Sequence, residues 1–63
     1  MRFNRTMLPI SGTQWHLFPT EAQAKAFAAY AERATRLDRR PCQAWVAPAT
    51  GGRPGWEVQV SNW

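Results

Sequence analysis

One segment limits everything else this chain can do: "PTEAQAKAFAAYAERATRLDRRP", Pro19 to Pro41, the single stretch with the pattern of a substantial helix. Thr20 is a good N-cap residue and Gln23 follows three positions later, the pattern of a capping box. Glu21 in the first turn and Arg36, Arg39 and Arg40 towards the far end complement the helix dipole, and Pro41 ends the segment. Ala24, Phe27, Tyr30, Ala31, Ala34 and Leu37 recur at three/four spacing and line one helical face. Glu21 with Lys25, and Glu32 with Arg36, are i,i+4 pairs in the favourable order. One helix covers one face of a sheet and leaves the other bare.

The rest of the chain reads as strands. "TQWHLF" (Thr13–Phe18), "CQAWVA" (Cys42–Ala47) and "GWEVQVSNW" (Gly55–Trp63) alternate in side-chain character. "PATGGRPG" (Pro48–Gly55) is a loop, long for a hairpin connection. Residues 1–12 form a basic arm closed by Ser11-Gly12, or else a weak edge strand, which Pro9 would suit. The expected fold is α+β: a two-layer βαββ domain over residues 13–63, with one helix on a three-stranded, mostly antiparallel sheet, four-stranded if the arm pairs. A helix crossover makes the second strand parallel to the first, and the hairpin return makes the third antiparallel to both. Order 1-3-2 then makes every neighbour antiparallel, the commoner pairing, and is expected over 1-2-3.

A chain of 63 residues buries only about 60% of the surface its unfolded form exposes. Small domains offset this with disulfides, a metal, oligomerisation or very good packing. One cysteine, Cys42, excludes an internal disulfide, and with one histidine, His16, a Cys/His zinc site within one chain is excluded too. No metal and no cofactor are expected, so packing or self-association must hold the fold. Neither a signal-peptide-length apolar run nor 18 consecutive apolar residues occur, which points to a cytoplasmic protein with a reduced cysteine and no membrane contact.

Alternation assigns two faces to the sheet. Trp15, Leu17, Cys42, Ala44, Val46, Trp56, Val58 and Val60 form the more uniformly apolar set, expected under the helix. Gln14, His16, Phe18, Gln43, Trp45, Glu57, Gln59 and Trp63 are then expected on the helix-free side. Three explanations compete for that side: the arm folds over it with Phe3, Met7, Leu8 and Ile10, a second copy or another protein docks on it, or nucleic-acid bases stack on it. The candidate interaction face is His16, Phe18, Gln43, Trp45, Gln59 and Trp63. The net charge of +4, with eight Lys and Arg against four Asp and Glu, suits either solubility or an acidic partner. Arg33, Arg36, Arg40 and Arg53 are the candidate anion or nucleic-acid contacts, the first three sharing a helical side if the helix runs that far.

Chemistry is thinly represented. His16 and Glu57 could share the open face, yet a flat surface lacks the water-excluding cleft of an active site. Cys42 has Arg39 and Arg40 close in sequence, which could depress a thiol pKa, but its alternation with Ala44 and Val46 marks a small core residue. "GGRPG" lacks the spacing and the following helix of a phosphate-binding loop. In composition the whole chain resembles the short, arginine- and tryptophan-rich proteins encoded in prophages of GC-rich bacteria. That resemblance implies a small accessory protein that acts by binding. The expected function is therefore non-enzymatic: a protein-interaction module, self-associating as a homodimer, with nucleic-acid binding as the alternative.

Overall fold

A computed structural model of the chain describes residues 3–34 and 41–62. The elements are β1 (Gly12–Phe18), α1 (Glu21–Arg33), β2 (Gln43–Pro48) and β3 (Trp56–Asn62), preceded by one 3-10 turn at Arg5–Met7. The sheet order is β1-β3-β2 and both pairings are antiparallel. This is the α+β arrangement that the alternation and the single helix imply, with the third strand in the middle.

Helix α1 starts where its cap says it should. Thr20 has extended backbone and its side-chain oxygen accepts from the Gln23 backbone N–H at 3.2 Å. Only this half of the capping box forms, because the Gln23 side-chain oxygen is buried without a partner among the described residues. Lys25 and Glu21 pair at 3.0 Å as their spacing suggests. The far end differs from expectation. The helix stops at Arg33, with Ala34 extended at ψ 150, rather than running on towards Pro41. The backbone N–H of Cys42 donates to the Ala31 carbonyl at 3.2 Å. A carbonyl that a longer helix would engage internally is thus taken by the lead into β2. Leu37 and the Glu32–Arg36 pair lie outside the described residues.

Beneath the helix sits the core: Leu8, Phe18, Ala24, Phe27, Ala31, Cys42, Val58 and Val60. Phe27 is its centre, with ring centroids 5.2 Å from Phe18, 5.3 Å from Phe3 and 5.0 Å from the His16 imidazole. Alanines on the helix let it approach β2 and β3 closely, and it touches β1 less. The N-terminal arm fills the space this leaves. Residues 3–11 form no strand: Phe3 packs edge-on against Phe18, Leu8 and Pro9 are fully buried, and the Asn62 side-chain amide donates to the Pro9 and Ile10 carbonyls at 3.3 Å each. The described part of the arm is a second piece of the helix layer, and on the opposite face Trp15, Leu17 and Trp45 are at least half exposed. Helix and arm together thus supply the apolar area that one helix could not.

Strand β1 lies the other way up from the sequence expectation. Its register sets Phe18 opposite Trp56, His16 opposite Val58 and Gln14 opposite Val60. Directly opposed residues of an antiparallel pair share a face, so His16 and Phe18 point into the helix side. Trp15 and Leu17, expected in the core, are 59% and 50% exposed on the other side. Both sets of β1 side chains include large apolar groups, so alternation alone does not choose between them. Three partners choose: Phe3 and Phe27 enclose Phe18, and the Met7 carbonyl accepts from His16 Nε2 at 2.8 Å.

Candidate interaction face

With β1 inverted, the open face is a grid of three rungs across β1, β3 and β2. Thr13, Ser61 and Gln43 make the first, Trp15, Gln59 and Trp45 the second, and Leu17, Glu57 and Ala47 the third. The first rung is closed by a 2.9 Å hydrogen bond between the Thr13 and Ser61 hydroxyls. On the second, two indoles flank the Gln59 amide. Trp45 is 52% exposed, and the strands that carry the two tryptophans stand roughly 10 Å apart, two inter-strand spacings. A shallow depression of about 240 Å³ lies here, lined by Trp15, Trp45, Ala47, Pro48, Thr50, Glu57 and Gln59.

Glu57 is the only charged residue among those nine strand positions. Its carboxylate is steadied by the hairpin loop, where the backbone N–H and the hydroxyl of Thr50 donate to Oε2 at 3.4 and 3.5 Å. That loop turns tightly at Gly51 and Gly52, both at positive φ (70 and 72), with the Arg53 N–H reaching the Thr50 carbonyl. Paired positive φ values belong to the turn type that matches strand twist, and glycine adopts them without strain. A second, apolar hollow of about 310 Å³ lies next to the third rung, lined by Leu17, Phe18, Pro19, Pro54 and Gly55.

The candidate residues separate as follows. Gln43, Trp45 and Gln59 are on the open face as expected. His16 and Phe18 are not, for the packing reasons given above, and Trp15 and Leu17 take their place. Trp63 lies outside the described residues. Because His16 and Glu57 occupy opposite faces, no general acid/base pair can form between them. Of the arginines, Arg33 ends the helix and Arg53 sits on the hairpin loop, both exposed, while Arg36 and Arg40 lie outside the described residues. Cys42 is 3% exposed, and burial pushes its thiol pKa up, the reverse of an activated thiolate.

Among the described residues no three His, Cys, Asp or Glu side chains gather as a metal site, and no helix is long and apolar enough to cross a membrane. No family model, curated protein or solved structure was found to match this chain.

Proposed function

We propose that this protein is a small non-enzymatic binding module that engages a protein partner, a second copy of itself included, through the helix-free face of its sheet. One observation carries the reading: Trp15 and Trp45, each more than half exposed, stand together on one rung of a face that neither the helix nor the described part of the arm covers. The chain buries Phe18, Phe27, Leu8, Val58 and Val60, so it has the means to hide large apolar groups and leaves these two out. Tryptophan supplies much contact area at little entropic cost and is enriched where proteins meet. A standard interface takes about 800 Å² per partner, so against a total surface of 4339 Å² a face-to-face dimer would use about a fifth of the surface. A cytoplasmic accessory role belongs to the same proposal.

Nucleic-acid binding is the weaker reading. A stacking platform for bases works with cations that track phosphates, whereas among the described residues Arg5, Lys25 and Arg33 belong to the arm and the helix, Arg53 alone sits on the hairpin loop, and the face itself carries Glu57.

Sedimentation equilibrium over a wide concentration range tests the proposal. The average mass of the wild type should rise with concentration, and Trp45→Ala should hold the protein at its monomer mass. If the chain stays monomeric, the indole N–H resonances of Trp15 and Trp45 should remain open to a soluble paramagnetic quencher, as a vacant docking surface requires. A strict monomer in which both indoles are shielded would end the proposal.

A further inference from the structure

We infer that the depression between Trp15 and Trp45 receives an arginine side chain of the partner, an inference that rests on the protein-binding reading of this face. Charge complementarity within one small site favours this occupant. Two indoles, a carboxylate and a primary amide line the same 240 Å³ depression, and among the described residues no basic side chain lines it. This acidic spot lies in a chain whose overall charge is +4.

Indole faces are the best aromatic partners for a cation, and tryptophans on strands about 10 Å apart leave room for one flat group to lie against a ring. Glu57 holds its carboxylate at the edge of the depression through two bonds to one oxygen, Oε2. A carboxylate offers about four lone-pair sites, so acceptor capacity remains for an outside donor. The Gln59 side-chain carbonyl, on the rung of the two tryptophans, supplies a further acceptor.

The occupant is thereby narrowed. A neutral sugar would stack on the indoles but would cover a charged carboxylate without neutralising it, which is costly. A nucleic-acid phosphate would be repelled by the same group. Lysine brings charge without a plane, while the guanidinium stacks and donates through a fork that fits a carboxylate.

The test is a titration of isotope-labelled protein followed through the Trp15 and Trp45 indole N–H and the Glu57 amide resonances. The probes are acetyl-Gly-Arg-Gly-amide, its citrulline counterpart (same shape, no charge), cellobiose and oligothymidylate. The arginine peptide should shift all three resonances saturably, and citrulline should bind at least about fivefold more weakly, as expected for an exposed cation–π and ion-pair site. Glu57→Gln should lower the arginine-peptide affinity by a similar factor, Trp45→Ala should abolish the shifts, and Glu21→Gln, on the helix, should change nothing. Equal binding of arginine and citrulline overturns the inference, as does a response to cellobiose or oligothymidylate without one to arginine. Silence to the arginine peptide in a protein that still self-associates through Trp45 defeats the arginine site alone, whereas shielded indoles in a monomer defeat the binding face itself.

Discussion

Cys42 and Gly55 show how much one residue's surroundings decide. The Cys42 thiol is buried, so its charged form is disfavoured in the fold and its pKa lies above the ordinary value. The folded protein therefore holds this proton more tightly than the unfolded chain. The stabilisation is complete below the unfolded thiol pKa and is lost as pH rises through the folded one. A stability–pH profile should accordingly fall more steeply on the alkaline side for wild type than for Cys42→Ala, and a thiol reagent should react slowly until the protein is denatured. Parallel alkaline limbs for the two proteins would contradict the assignment. Gly55 has φ 108, and a Cβ there would lie 2.6 Å from the Phe18 carbonyl oxygen, a backbone atom that cannot swing away. Gly55→Ala should cost about 1–3 kcal/mol, read as a lower denaturant midpoint. Gly51→Ala meets no atom within 4 Å and should cost only the roughly 1–2 kcal/mol of a left-handed alanine.

Helix and arm act as a joint layer over the sheet. Phe27 is fully buried among Phe3, His16 and Phe18, so Phe27→Ala should remove about 3–5 kcal/mol, much of the stability a domain this small can possess. Ala29 faces solvent on the same helix, and Ala29→Ser should be nearly silent. Equal shifts in thermal midpoint would place the wrong side of the helix inward. The arm carries a parallel expectation: Leu8→Ala should cost about 2–5 kcal/mol, as a core residue does, although Leu8 precedes every strand and the helix. A loss below about 0.5 kcal/mol, the usual surface value, would mean that the arm does not pack as described.

At the scale of the whole molecule, the two sides of the sheet should separate stability from binding. Trp15→Ala, in dilute solution where the protein is monomeric, should alter stability by no more than about 1 kcal/mol, the range of a cross-strand pair. Trp15 beneath the helix would instead cost about 3–5 kcal/mol, so the size of the loss reports directly on which way β1 lies. If the open face makes a homodimer, the same substitution should lower stability increasingly at higher protein concentration, because association and folding are linked by mass action. A large loss independent of concentration would return Trp15 to the core.

The element order, the helix start and the strand order were legible in the amino-acid pattern alone. Thr20 caps α1 through a neighbour three residues away, the alternation of β2 and β3 puts one mostly apolar set on each, and the antiparallel preference places β3 in the centre. These are short-range or statistical properties that a local stretch of chain already contains. The helix end was not among them, because the Ala31 carbonyl finds its partner in Cys42, beyond the reach of any helical spacing rule. Nor was the orientation of β1, and with it the composition of the candidate site. "QWHLF" carries large apolar side chains on both sides, and turning such a strand over exchanges its whole inward set for its outward one. Phe3, Met7 and Phe27, from the arm and the helix, settle the choice by enclosing Phe18 and His16. Only tertiary structure could bring Trp15 beside Trp45, since their common neighbour, Gln59, lies 44 residues beyond one and 14 beyond the other.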